Sequence, residues 1–318
     1  MAILCAPRVL PGAPHRRPHR SDQHLQGRTM RPSPVLRLVV GTLIAACLAT
    51  VQAAPSSPAP ATRPAVDIRS RAALIMRADT GQVLYAKNAD QTLPIASITK
   101  LMTAMVVLDA GQPMNQILTI TDAERDRLRG TTSRLAIGTK LSRSELLRLA
   151  LMSSENRAAA ALLRNYPGGP AAGVAAMNRK AQALGMTRTR FVEATGLSGD
   201  NRSTPTDLAR LVRAAARYST IRAYSTTPEY TVKVGRHLTQ YRNTNPLVRN
   251  PQWNIAVTKT GYLNEAGRCL VMHTTVGGKP VVMVLMDSWG TLTRVGDAGR
   301  ARRWMEASER TTQVAASR

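Results

Sequence analysis

Apolar positions change period along this chain. Ala72 to Met76 and Gln82 to Tyr85 flank Asp79-Thr80-Gly81, which predicts a β-hairpin. Leu101, Met102, Met105, Val106 and Leu108 then recur at helical spacing and predict a buried helix, with Gly111 as its stop. Pro94 disfavours helix before it, so this helix is expected to start near Ala96 or Ser97. Residues 116–141 are mixed, with turns marked by Gly130 and Gly138. Ser142-Arg143-Ser144-Glu145 is a capping box ahead of Leu146, Leu147, Leu149 and Leu151. That helix breaks at Ser153-Ser154-Glu155-Asn156 and resumes from Ala158 to Leu163.

Val174 to Leu184, closed by Gly185, reads as another helix, and Thr204-Pro205-Thr206-Asp207 opens one more. Beyond Tyr224 the period becomes strand-like, with Tyr230–Val234, His237–Tyr241, Asn254–Thr258, Cys269–Thr275 and Pro280–Met286. Gly277-Gly278 turns the last two strands, and Val295 to Glu306 is a closing helix. The predicted class is α+β: an antiparallel sheet built from N- and C-terminal strands, flanked by helices, with an all-α subdomain inserted.

The N-terminal part has a different character. Residues 1–29 are rich in Arg, His and Pro without periodicity, and read as an upstream extension with Met30 as the true start. Residues 30–53 carry Arg31 and Arg37, the apolar run Leu38–Val51 and a small-residue site at Ala53, the pattern of a signal peptide. Lipoprotein processing before Cys47 is the competing reading, disfavoured because the apolar run continues past it. Residues 54–66 have the composition of a disordered linker, 67–310 form the folded domain, and 311–318 are a tail. This organisation implies export to the periplasm. The short stretch after the closing helix leaves room for at most a loose membrane association.

With 318 residues, 43% of them apolar, the chain can bury a full core. Its net charge of +25 suits a polyanionic partner. Aromatics are 3% and interleave with no basic block, which argues against nucleic acid. Cys5 and Cys47 fall in the leader, leaving Cys269 as a small core residue and no intramolecular disulfide. His237 and His273 sit in no nucleophile-elbow context and show no metal-ligand spacing with Cys269. A Ser–His–Asp hydrolase, a metallopeptidase and any bound cofactor are therefore not expected.

Ser97 and Lys100, one helical turn apart, can meet on one face, and the helix start offers unpaired N–H groups for an oxyanion. Of 44 basic residues only seven are Lys, and no other lysine follows a serine at this spacing. A lysine, unlike arginine, can lose its proton and act as a base. Ser154-Glu155-Asn156 stands at the helix break, where polar groups can face a cleft. Lys259-Thr260-Gly261 ends the strand Asn254–Thr258, with a cation for an anion and a glycine for close backbone approach. Ser-x-x-Lys, Ser-x-Asn and Lys-Thr-Gly in this order are the trio of penicillin-binding proteins and class A β-lactamases.

The resemblance extends beyond the trio. Residues 95–109, 151–160, Arg190-Phe191-Val192-Glu193, Thr195-Gly196-Leu197-Ser198, Arg242-Asn243-Thr244-Asn245 and Thr258–Tyr262 resemble low-molecular-weight penicillin-binding proteins of the D-alanyl-D-alanine peptidase family, closest to its endopeptidase branch. The resemblance implies a β-lactamase/transpeptidase-like fold and a periplasmic serine peptidase that hydrolyses D-alanyl bonds in peptidoglycan cross-links. Trimming of stem peptides as a carboxypeptidase is the alternative, and a class A-like β-lactamase a more distant one. The implied partners are peptidoglycan stem peptides and cross-links, with β-lactam antibiotics as covalent inhibitors. By position, Ser97 is the nucleophile, Lys100 its base, and Ser154 and Asn156 the proton relay and substrate-amide holder. Lys259 and Thr260 would bind a carboxylate, Gly261 would allow the approach, and the N–H groups of Ser97 and Tyr262 would form an oxyanion hole. Arg242 is a candidate second carboxylate clamp.

Overall fold

The computed structural model describes residues 65–316. The expected extension 1–29, the signal peptide 30–53 and nearly all of the linker 54–66 lie outside the described residues. Val66 already packs on the core.

Strands β1 (Ala72–Arg77) and β2 (Val83–Lys87) form the predicted hairpin. A two-residue strand β3 (Leu93–Pro94) precedes helix α1 (Thr99–Asp109). A ribbon of β4 (Ile117–Thr119) and β5 (Lys140–Ser142) leads into α2 (Arg143–Met152), whose capping box is formed as the sequence indicates. The break follows, and α3 runs from Asn156 to Arg164. Helix α4 (Gly169–Ala183) starts earlier than its apolar pattern predicts, because Pro170 fits its first turn behind a left-handed Gly168. After β6 (Arg202–Ser203) come α5 (Pro205–Ala215) and α6 (Ser219–Ser225), the latter unpredicted because seven residues give too short a period. The hairpin β7 (Glu229–Val234) and β8 (His237–Arg242) closes this inserted helical block. The long strands β9 (Asn254–Leu263), β10 (Gly267–Val276) and β11 (Lys279–Ser288) then lead to α7 (Thr293–Ala316).

The main sheet has the order β2-β1-β11-β10-β9, antiparallel throughout, so strands from both ends of the folded region complete it. Its alternation sorts side chains onto two covered faces. Leu74, Met76, Val271, Val282 and Val284 join the core shared with the inserted helices. Ala73, Ile75, Leu270, Met272, Met283 and Leu285 pack with Ala298, Ala301 and Met305 of α7. Both faces being covered, these strands read as continuous apolar runs.

Helix α1 is buried from Thr99 to Val107 and packs against α2, α3, α4 and α5. A helix buried all round must satisfy its polar side chains locally. Thr99 Oγ1 donates to the Ala96 carbonyl at 2.8 Å and Thr103 Oγ1 to the Ala194 carbonyl at 2.7 Å.

Two expectations about the motif elements are corrected. Ser97 lies in a 3₁₀ turn (Ala96–Ile98) that precedes α1 rather than in its first turn. Lys259-Thr260-Gly261 lies inside β9 rather than at its end, since Lys259, Thr260, Gly261 and Tyr262 all pair with β10. As the last strand in the order, β9 leaves its other edge free of the sheet.

Candidate active site

Each motif enters on a different element, and two do so through strained backbone. Ala96, just before Ser97, has φ of 46°, and Ser154, between α2 and α3, has φ of 62°. Such conformations cost about 1–3 kcal/mol each and persist only where the surroundings impose them. Gly261 supplies one reason at Ala96: a Cβ there would lie 3.0 Å from the Ile95 carbonyl oxygen and 3.2 Å from Ser97 N. Whatever room it gives a substrate, this glycine also admits the backbone turn that carries Ser97.

Lys100 is 1% exposed, and its amine has three neighbours. Nζ donates to Ser97 Oγ at 2.8 Å, to Asn156 Oδ1 at 2.7 Å and to the Thr195 carbonyl at 2.5 Å. Burial pushes Lys100 down to about 8, against the opposing pull of Glu193 and Glu155. Once neutral, the amine can give its two N–H groups to Asn156 and Thr195. Its lone pair is then left for the hydroxyl of Ser97.

Lys259, also 1% exposed, donates to Ser154 Oγ at 2.9 Å and to the Thr260 carbonyl at 2.8 Å. Burial, then the charges of Lys100 and Arg294, hold it well below the usual lysine range. Thr260 Oγ1 donates to Thr244 Oγ1 at 2.6 Å, and the Thr244 amide donates to the Met152 carbonyl at the end of α2 at 2.9 Å. Thr244 thereby ties the serine–asparagine motif to β9.

Ser97, Lys100 and Asn156 therefore form one hydrogen-bonded group, and Ser154, Lys259 and Thr260 a second. The middle residue, Glu155, accepts from Ser133 Oγ at 2.6 Å and caps α3 through the Arg157 amide. Tyr262 is half exposed, with Arg268 stacked 4.6 Å from its ring. Arg242 is placed differently from the rest: its guanidinium pairs with Glu229 across the β7–β8 hairpin at 3.1 Å, and its side chain is 69% exposed.

Sequence reasoning missed Thr195, Glu193, Thr244 and Arg294. Arg294, near the start of α7, has Nε and Nη1 buried without a hydrogen-bond partner among the described residues, and burial lowers its proton affinity. No motif surrounds it. Only the return of α7 brings its charge within reach of Lys259. Among the described residues, no group of His, Cys, Asp and Glu is arranged to hold a metal ion.

Residues 57–290 match the model of peptidase family S11, described as D-alanyl-D-alanine carboxypeptidase. The chain belongs to this family. A D-alanyl-D-alanine endopeptidase of Pseudomonas aeruginosa is 51% identical over 254 residues, 79% of this chain and 82% of that protein. The Escherichia coli D-alanyl-D-alanine endopeptidase is 46% identical over 81% of this chain and 84% of its own length. Among solved structures, the Streptomyces K15 DD-transpeptidase superposes with a TM-score of 0.71 at 31% identity, covering 76% of this chain and 98% of that one. Penicillin-binding protein D2 of Listeria monocytogenes, in its cefotaxime-bound form, gives 0.67 at 29% identity with the same coverage. The fold expected from the order of strands and helices is thus the fold of penicillin-binding enzymes.

Proposed function

We propose that this protein is a penicillin-sensitive serine DD-endopeptidase that cleaves D-alanyl cross-links of peptidoglycan through an acyl-enzyme on Ser97. The observation that carries this reading is the amine of a fully buried lysine 2.8 Å from a serine hydroxyl, with two further acceptors for its remaining protons. The chemistry follows from that geometry. Neutral Lys100 takes the proton of Ser97 Oγ as the oxygen attacks the D-alanyl carbonyl carbon. The N–H groups of Ser97 and Tyr262 receive the oxyanion, each such donor contributing about 3–4 kcal/mol. When the intermediate collapses, the C–N bond breaks and the proton taken up by Lys100 is relayed to the leaving amine through Ser154, whose oxygen accepts from Lys259. Water then cleaves the ester and restores Ser97.

Lys259 and Thr260 form the anion-binding side of the cleft, and the unpaired Arg294 adds positive charge there. Arg242, engaged with Glu229, has no part in this scheme. The preference for the cross-link over the terminal D-alanine is supported by the two endopeptidase relatives at 51% and 46% identity. The apolar run Leu38–Val51 supports a periplasmic location.

Two measurements test the reading. Fluorescent penicillin should label the protein covalently, and Ser97→Ala should abolish the label. Digestion of purified cross-linked muropeptides should release un-cross-linked monomers. Release of free D-alanine alone would establish the carboxypeptidase instead.

A further inference from the structure

A partly buried carboxylate is costly unless donors surround it. Glu193, between α4 and β6, has four on its two oxygens. Oε2 accepts from the Thr195 amide and from Thr195 Oγ1, both at 2.5 Å. Oε1 accepts from the Gly196 amide at 2.6 Å and from Asn201 Nδ2 at 2.7 Å. Asn201 is fully buried and also donates to Thr99 Oγ1 at 3.0 Å, which ties the cluster to the first residue of α1.

The grip on Gly196 has a geometric consequence. In a planar trans peptide the N–H and C=O point in opposite directions. The amide of Gly196 and the carbonyl of Thr195 belong to one such unit. A carboxylate that holds this N–H therefore aims the carbonyl the other way, at Lys100 Nζ 2.5 Å distant and Ser97 Oγ 3.4 Å distant. Packing supports this segment poorly on one side. A cavity of about 560 Å³ borders Val192, Glu193, Ala194 and Thr195 together with Leu163 and Val174.

We propose that Glu193 is a positioning residue for acylation: its carboxylate holds the Thr195–Gly196 peptide so that the Thr195 carbonyl faces the amine of Lys100. The inference rests on the roles of Ser97 and Lys100 given above. With the carbonyl in place, one N–H of the neutral amine is taken and its lone pair stays on the Ser97 hydroxyl. With the peptide released, the amine can turn away.

Charge gives the same residue a second, separable effect. The charged groups that act on Lys100 are Glu193 from this segment and Glu155 at the start of α3, while Lys259 on β9 shares a repulsion with it and Arg294 acts on Lys259. Of the two carboxylates, Glu193 contributes more to keeping the proton on Lys100.

The test is the second-order rate of acylation by fluorescent penicillin as a function of pH, for wild type, Ser97→Ala, Glu193→Gln and Glu193→Asp. Glu193→Gln should lower the high-pH plateau about 10–10²-fold, the scale of a misplaced catalytic group. It should also move the ascending limb to lower pH, because a negative charge near Lys100 is gone. A plateau and limb like wild type overturn the proposal. So does a lower plateau with the limb unmoved, which is what a merely structural role would give. Glu193→Asp keeps the charge but shortens its reach. Its plateau should fall at least about tenfold with the limb close to wild type, and a wild-type plateau overturns the positioning role even if Glu193→Gln fails to fold. Continued labelling of Ser97→Ala would instead overturn the acyl-enzyme reading itself.

Discussion

Gly196 and Ala96 meet backbone to backbone: a Cβ on Gly196 would stand 1.9 Å from the Ala96 carbonyl oxygen and 2.7 Å from Ser97 N. Gly196 also has φ of 81°, a region where a side chain costs about 1–2 kcal/mol. Gly261 also approaches this turn, with 3.0 Å between its missing Cβ and the Ile95 carbonyl oxygen. The nucleophile turn thus packs against two glycines contributed by segments about 100 and 160 residues downstream.

Gly196→Ala should therefore displace the Ser97 turn, abolish penicillin acylation and lower the melting temperature. Gly261→Ala meets longer contacts, so it should retain measurable acylation and lose less stability. Thermal melts and acylation rates of the two variants check the order. Equal behaviour would mean that the turn is not held this way.

The two buried lysines should respond differently to arginine. Guanidinium stays charged and cannot accept the Ser97 proton, so Lys100→Arg should slow acylation by about 10²–10⁴-fold, the usual worth of a general base. Lys259→Arg keeps a cation beside Thr260 and should retain more acylation, its loss appearing largely as weaker apparent binding. Acylation of Lys100→Arg at the wild-type rate would remove Lys100 as the base.

Acylation should rise with pH and level off above about 8, where Lys100 becomes neutral under burial. Stability should follow the same group. Between about 8 and the ordinary 10.5, the unfolded chain binds a proton that the folded chain has released. The stability tied to this group is thus complete above 10.5 and is lost as pH falls to about 8. Urea unfolding on either side of that window measures it, and Lys100→Met should make the dependence shallower, leaving the part that the depressed Lys259 contributes.

The penicillin adduct should be long-lived. A deacylating carboxylate must be able to turn to a water at the ester. Glu155 is fixed through Oε1 to Ser133 and to the Arg157 amide as the cap of α3, and both oxygens of Glu193 are taken by donors. Mass spectrometry should find the acyl-enzyme persisting after free penicillin is removed. Rapid catalytic turnover of a chromogenic β-lactam would contradict this.

Local spacing alone placed the chemistry that depends on neighbours in sequence. Residues three apart near a helix start face one another, so Ser97 and Lys100 were legible before any fold was known. The same holds for Ser154 and Asn156 on either side of a helix break and for the strand pattern that pairs β10 with β11. The tertiary structure alone decided the rest. Lys100 finds its second acceptor in a backbone carbonyl, Thr195; the stretch Thr195–Ser198 carries part of the family resemblance, but every residue type has a carbonyl, so nothing in it marks the one that Lys100 meets. Arg294 and Arg242 look alike as arginines in the chain. Folding buries Nε and Nη1 of Arg294 within reach of Lys259, whereas it pairs Arg242 with Glu229 at the surface. Residue type fixes what a group can do, but distance and burial, which set its charge and its partners, come only from segments far apart in sequence packing together.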